Sequence, residues 1–222
     1  MKLNHIRKSY GKELIFEDFS LETKKGEILC VLGESGGGKT TLLNILAGLI
    51  PFDGEKEVPE KISYVFQEPR LLPNLTVKEN IALVGGRGET IAEMLAKTEM
   101  QDRANKRPSE LSGGEKQRAS LARAFSVDFE LLLMDEPFSS LDTGLKIRLT
   151  NVFAELWKKK SENAAAVFVT HDIEEALMIA SRVVVLKGGK IVYEKTIDRT
   201  EFPSEYGKEN PVREELLQVL LA

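Results

Sequence analysis

Ile28-Leu29-Cys30-Val31-Leu32-Gly33-Glu34-Ser35-Gly36-Gly37-Gly38-Lys39-Thr40 is the stretch on which the fold turns. Its five leading apolar residues read as a buried strand. The loop that follows fits G-x-x-x-x-G-K-[ST], and residues 40–49 read as a helix with Leu42, Leu43, Ile45, Leu46 and Leu49 on one apolar face. Strand, glycine loop and helix in this order suit phosphate binding. Glycines let backbone N–H groups fold around a phosphate without side-chain clashes. The helix start adds unpaired N–H donors and the positive end of its dipole. Lys39 supplies a cation for the β- and γ-phosphates of a nucleotide, and Thr40 a hydroxyl for Mg²⁺. Kinases, GTPases and motors share such loops, so the loop alone leaves open what the nucleotide drives.

On either side the chain keeps an α/β rhythm. Strands at 3–8, 19–23 and 27–32 precede the loop, with Lys24-Lys25-Gly26 turning the second into the third. Pro51-Phe52-Asp53-Gly54 breaks the chain, and 62–67 is a further strand ended by Glu68-Pro69. Between about 76 and 111 short helical stretches, 77–84 and 90–98, are separated by Gly85-Gly86-Arg87-Gly88 and closed by Arg107-Pro108. Beyond Gly113 the expectation is helix to 126, strand 131–135, helix 142–160, strand 165–170 and helix 173–180. A hairpin of 183–186 with 191–193 follows, turning at Lys187-Gly188-Gly189-Lys190. Alternating strands and helices predict a mainly parallel sheet covered on both faces.

Bulk composition bounds the function. The 222 residues, 42% hydrophobic and 30% charged, suit one substantial globular domain with room for a small subdomain. A net charge of −4 argues against a surface built mainly to grip nucleic acid. The single cysteine, Cys30, belongs to the apolar strand, makes no internal disulfide and fits the reducing cytosol. Met1 to His5 open no apolar targeting segment, and no run approaches the ~18 apolar residues of a membrane span. Any action on a membrane is expected to pass through a partner.

Two further segments narrow the chemistry. Leu131-Leu132-Leu133-Met134-Asp135-Glu136 is an apolar strand ending in adjacent carboxylates. Beside a phosphate loop, Asp135 suits the Mg²⁺ shell and Glu136 suits polarising an attacking water. Leu111-Ser112-Gly113-Gly114-Glu115-Lys116-Gln117-Arg118 opens a helix, with Ser112 as cap and Glu115 completing a capping box. A plain helix start leaves the two glycines unexplained, since they are poor helix residues. With Ser112 they read as a second anion site at a helix start.

With these residues in hand, the chain resembles the ATP-binding subunits of ABC transporters over nearly its whole length. Leu111 to Arg118 matches the family signature, Phe66-Gln67-Glu68 its glutamine loop, and Ser139-Ser140-Leu141-Asp142 its D-loop. Val169-Thr170-His171-Asp172 matches the switch histidine, and Tyr10 the aromatic that stacks on adenine. Gly37, where serine or cysteine is frequent, and Glu115, where glutamine is frequent, are the departures.

The resemblance implies a P-loop NTPase core of the RecA-like α/β class, with a mainly parallel sheet, an antiparallel β subdomain and a small α-helical insertion. Residues 1–75 and 116–200 would form the catalytic core with its antiparallel part, 76–115 the insertion, and 201–222 a tail helix. It also implies ATP and Mg²⁺ sandwiched in a head-to-tail dimer with a second copy or a similar subunit. Tyr10, Gly33, Glu34, Ser35, Gly36, Gly37, Gly38, Lys39, Thr40 and Thr41 would hold one nucleotide. Ser112, Gly113 and Gly114 would reach across to the other copy's γ-phosphate, and Asp142 would bridge the subunits. Thr40, Gln67 and Asp135 would face Mg²⁺. Glu136, His171, Gln67 and Lys39 would carry hydrolysis.

Other features of the sequence select a branch. No sustained heptads occur, there is one motif set, and fused membrane helices are absent, which sets aside chromosome, translation and exporter members. The segment 66–80 and a tail helix at 212–221 resemble importers of nitrate, sulfonates, taurine and related solutes. That resemblance implies a place on the cytoplasmic face of the membrane, held by integral permease subunits and served indirectly by an extracytoplasmic solute-binding protein. The competing reading is a soluble ABC-type ATPase in assembly or scaffolding, or a subunit of a membrane complex that does not import. Plainer roles suffice elsewhere. His5 is expected as an exposed residue near an edge strand, Trp157 as helix packing, and Lys158-Lys159-Lys160 as a solvated helix end.

Overall fold

The computed structural model describes residues 1–139, 141–198 and 202–221. In chain order the elements are β1 (Lys2–Tyr10), β2 (Glu13–Glu22), β3 (Ile28–Leu32), α1 (Lys39–Leu46), β4 (Asp53–Glu57) and β5 (Ile62–Val65). Next come α2 (Val77–Leu83), α3 (Gly88–Lys97), α4 (Gly113–Phe125), β6 (Leu131–Asp135), α5 (Thr143–Lys158), β7 (Ala165–Thr170) and α6 (Ile173–Ile179). The chain closes through β8 (Arg182–Lys187), β9 (Lys190–Thr196) and α7 (Pro211–Leu221). These form two sheets. One is antiparallel, ordered β2-β1-β4; the other is ordered β5-β6-β7-β3-β8-β9 and is parallel except for β9.

The large sheet is buried on both faces, which is why its strands read as unbroken apolar runs. Along β3, Ile28, Cys30 and Leu32 enter a core with α4, α5, α6 and α7. Leu29 and Val31 enter a second core with α1 and the antiparallel sheet. Trp157 is buried and stacks on Phe153 with ring centroids 6.2 Å apart. Lys159 and Lys160 are not merely solvated; they pair with Glu93 at 2.8 Å and Asp128 at 2.6 Å.

The antiparallel sheet departs most from the sequence expectation. β2 starts at Glu13, well before 19, because β1 turns straight back at Gly11-Lys12 to pair with it. Irregular register along that pair blurs the two-residue alternation that marks a strand. Where a break was expected at 51–54, β4 begins at Asp53 and is exposed along almost its whole length. It has no apolar face to announce it. β1 is consequently the central strand, so His5 is not near an edge; it is exposed and contacts Asp18 at 2.7 Å. Lys24-Lys25-Gly26 joins strands of different sheets. Helix α1 stops at Leu46, short of 49, with the Ala47 and Gly48 N–H groups bonding back to the Leu43 and Ile45 carbonyls.

Between 76 and 112 the described residues form α2, α3 and two short 3-10 turns, with no strand. Thr76 caps α2 through a capping box with Glu79. The buried Asn80 amide bonds Leu72 N and O and the carbonyls of Leu75 and Thr76, pinning the loop that leads from β5 into α2. At the other end of the chain, Val212 and Leu216 bury α7, and Tyr193 Oη donates to Glu215 at 2.6 Å.

Candidate active site

The site lies where the carboxyl ends of the parallel strands open onto loops, the usual place for a ligand in an open α/β sheet. β3 runs straight into the loop 33–38. A Cβ at Gly33 would sit 2.4 Å from the Leu186 carbonyl oxygen, so no larger residue fits. Gly38 precedes the helix with φ 94, a conformation glycine adopts without steric cost. The loop thereby presents its backbone to α1's first turn.

Lys39 is 5% exposed, and its ammonium donates to the Gly33 carbonyl at 2.8 Å and the Glu34 carbonyl at 2.9 Å. Burial pushes its pKa down, while Glu136 and Asp135 pull it back up. Thr40 Oγ1 donates to Asp135 Oδ1 at 3.3 Å. Although β7 lies between β3 and β6, the helix start brings Thr40 across to the end of β6. Burial and the neighbouring Glu136 push the Asp135 carboxyl above its ordinary value, with Thr40 and Lys39 opposing.

Glu136 is the meeting point. Its carboxylate lies 3.8 Å from Lys39 Nζ, 3.5 Å from Gln67 Nε2 and 3.1 Å from His171 Nδ1. Its side chain is 12% exposed, whereas that of His171 is 57% exposed. The backbone at Glu136 has φ 43, unusual for a residue with a Cβ. It is held there by its N–H on the Val169 carbonyl at 2.9 Å and by Ser139 Oγ donating to its carbonyl at 3.0 Å.

The structure therefore gathers Lys39, Thr40, Gln67, Asp135, Glu136 and His171 from four separate segments. Thr41 sits half-buried on α1. Among the described residues, no hydrogen bond or ion pair joins Tyr10, Ser112, Gly113, Gly114 or Asp142 to this group. Tyr10 is 48% exposed, with the Lys8 ammonium 4.8 Å from its ring centroid. Asp142 caps α5 by accepting from Leu145 N at 3.0 Å, and Ser140 of the same loop lies outside the described residues. Ser112, Gly113 and Gly114 open α4 with their N–H groups at an exposed helix start.

Glu115 shows why a carboxylate suits the signature helix here. It accepts from Ser112 N at 2.8 Å and from Arg103 Nε at 2.7 Å, which takes its pKa from the usual 4.5 to about 2. A depressed carboxyl contributes stability that is present above pH 4.5 and is lost as pH falls toward about 2. Thermal melts of wild type and Glu115→Gln should differ at neutral pH in favour of wild type. The gap should close across that acid window; a gap independent of pH would rule out this account.

Sequence reasoning passed over Tyr64 and Asn44. Tyr64 Oη donates to Asn44 Oδ1 at 3.4 Å, and burial followed by the nearby Asp135 charge pushes its pKa up. Tyr64 thereby also stands beside the Asp135 carboxylate. An aromatic with a polar tip on the strand leading to Gln67 was the available signal.

Thr40 meets the buried Asp135 carboxylate and Gln67 the adjacent Glu136 carboxylate, which brings hydroxyl, carboxylate and amide side chains to the end of β6. That set suits a hard cation that shares its shell with phosphate oxygens and water. Among the described residues no group of three or more His, Cys, Asp and Glu is placed to cage a metal. The loop, its lysine and the helix start provide the complementary cradle for a polyphosphate.

Comparison with known proteins places these features in context. A family model described as ABC transporter matches residues 16–139. The aliphatic sulfonates import ATP-binding protein of Granulibacter bethesdensis is 45% identical over 201 residues, covering 89% of this chain and 84% of that protein. A protein of the same description from Streptomyces avermitilis is 40% identical, covering 90% of this chain and 81% of its own. Among solved structures, a dimeric bacterial ABC transporter cassette superposes with TM-score 0.78 at 30% identity, covering 89% of this chain and 99% of that one. The same cassette in a post-hydrolysis state bound to ADP and Pi matches equally well.

Proposed function

The chain belongs to the ABC transporter family, as an ATP-binding and ATP-hydrolysing subunit that energises an importer, and on that premise we propose its solute and the role of each site residue. The solute is a small organic anion of the aliphatic sulfonate class, supported by 40–45% identity to sulfonate-import subunits over most of the chain. Delivery to the permease would come from an extracytoplasmic solute-binding protein. Among the described residues no helix is long and apolar enough to cross a membrane, so coupling to the membrane falls to the permease subunits. Residues 76–115 act as the helical insertion that leads into the signature, and 201–222 as a tail.

The observation that carries the catalytic reading is the convergence of Lys39, Gln67 and His171 on the Glu136 carboxylate. Lys39 exchanges the Gly33 and Glu34 carbonyls for phosphate oxygens, a short movement for a cation already in the loop. Backbone N–H groups of 33–41 hold the β-phosphate, and the exposed Tyr10 ring stacks on adenine. Thr40, Asp135 and Gln67 would hold Mg²⁺, which offsets charge on the β- and γ-phosphates. Glu136 accepts the proton of the attacking water and aims it in line with the γ-phosphoryl group. His171, bound to the same carboxylate, fixes its rotamer and presents the other ring nitrogen to a γ-phosphate oxygen. Catalysis is then mostly positioning and charge stabilisation.

Ser112, Gly113 and Gly114 take no part in the cradle of their own chain. In a head-to-tail pair, Ser112 of the partner subunit, with its two following glycines, completes the site, and Asp142 lies at the seam. The partly exposed segment 66–72, where Leu72 stands 45% exposed and Arg70 stacks 4.0 Å over the Phe66 ring, is the face offered to the permease.

Detergent extraction of native membranes carrying the tagged full chain tests this directly. The chain should co-purify with a polytopic membrane protein, and disrupting its gene should abolish uptake of a labelled aliphatic sulfonate. Recovery of no integral membrane protein would favour the soluble assembly role instead. Unchanged sulfonate uptake with the permease present would remove the solute assignment alone.

A further inference from the structure

Outside the residues that face nucleotide, Lys146, Asp172 and Glu175 form a largely buried ionic cluster to which no role has yet been given. Lys146 lies in the first turns of α5, and its N–H bonds the carbonyl of Asp142, the residue that caps this helix. Its ammonium reaches two carboxylates on another element: Asp172 Oδ2 at 2.9 Å and Glu175 Oε1 at 2.8 Å, the latter as an ion pair rather than an aligned hydrogen bond. Glu175 is only 2% exposed. A buried carboxylate without a counter-charge is strongly unfavourable, so this pairing is a requirement of the fold around it.

The same cluster fixes the backbone on both sides of His171. Thr170 Oγ1 donates to Glu175 Oε2 at 2.7 Å, and Asp172 N donates to Thr170 Oγ1 at 3.1 Å. Asp172 Oδ1 in turn caps α6 by accepting from Glu174 N at 2.9 Å and Glu175 N at 3.4 Å. His171 itself is exposed, and among the described residues its side chain hydrogen-bonds the Glu136 carboxylate alone. Its imidazole is thus placed by its neighbours, and its neighbours are placed by Lys146.

We propose that Lys146 is a positioning residue for hydrolysis, tying the Asp142 end of α5 to the loop that carries His171. It holds the imidazole in register with Glu136, and any shift of the Asp142 loop on pairing of two chains moves His171 with it. This rests on the reading of His171 given above. Lysine suits the task because one small ammonium fits between two carboxylates while its alkyl stem packs along the helix.

Steady-state ATP hydrolysis by the purified full chain, with ATP affinity measured separately, tests the proposal. Lys146→Met should lower kcat about 10-fold or more, the size expected of a small misplacement of a reacting group. KM and ATP affinity should stay within about twofold, since the loop 33–40 is untouched. Lys146→Arg, which keeps the charge, should recover most of the rate. The deciding measurement is the double variant with His171→Ala. If Lys146 acts through His171, the pair should be no slower than His171→Ala alone. Losses that multiply would overturn the proposal, as would wild-type kcat in Lys146→Met when His171→Ala is slow. Wild-type turnover in His171→Ala would instead overturn the reading of His171, and this proposal with it. Should Lys146→Met fail to fold, Asp172→Asn supplies the same test. It keeps the helix cap and the Glu175 pair while loosening the tie next to His171, and a normal rate in it would be equally fatal.

Discussion

Glu136→Gln is expected to bind ATP as well as wild type while turning it over about 10²-fold more slowly or worse, the loss that goes with removing a general base. The substitution keeps side-chain length and shape, so the contacts to Gln67 and His171 have a neutral counterpart. What disappears is a carboxylate's basicity and its charge. Lys39, 3.8 Å away, then has one anion fewer beside it and is freer to pair with the triphosphate. ATP should therefore persist in the site, and the two-chain assembly should accumulate. Size-exclusion chromatography with ATP, alongside phosphate release, reads both effects. Undiminished phosphate release would take Glu136 out of this role, whatever the chromatography shows.

Lys39→Ala should fail at an earlier step. Lys39 is the cation inside the loop, and a charge-assisted bond to phosphate is worth about 1.5–3 kcal/mol, or about 10–10² in affinity. The variant also leaves the Gly33 and Glu34 carbonyls without their donor and strips Asp135 and Glu136 of a nearby counter-charge. Nucleotide affinity should drop by about 10²-fold or more as these losses combine. Equilibrium titration with a fluorescent ATP analogue measures it, with circular dichroism to verify the fold. Wild-type affinity in a folded variant would contradict the account of the loop. The two variants also separate binding from chemistry: one holds nucleotide without consuming it, the other scarcely holds it.

Much of this is legible in the sequence alone. A strand buried on both faces announces itself as an apolar run, so β3, β6, β7 and β8 stood out. Glycines and a lysine at fixed spacing mark the loop because few sequences satisfy that backbone. β4 was missed because exposed edge strands need no apolar face, and half of β2 because bulges scramble its alternation. The order of the sheet was equally hidden. β7 separates β3 from β6, yet Thr40 still meets Asp135, a juxtaposition set by crossover connections rather than by spacing along the chain. Tyr64 and Lys146 escaped for the same reason: each matters through partners far away in sequence, Asp135 for one and Asp172 with Glu175 for the other. Ser112 to Gly114 read as an anion site in the sequence, yet among the described residues no hydrogen bond or ion pair joins them to the Lys39–Glu136 group.

The left-handed backbone at Glu136 has an implication for evolution in the laboratory. A non-glycine residue held at φ 43 costs on the order of 1–3 kcal/mol, a sizeable share of a domain's net stability. Glycine or asparagine there would relax that tension and discard the proposed base in the same step. A selection rewarding heat resistance and one rewarding growth on the imported solute would therefore pull position 136 in opposite directions.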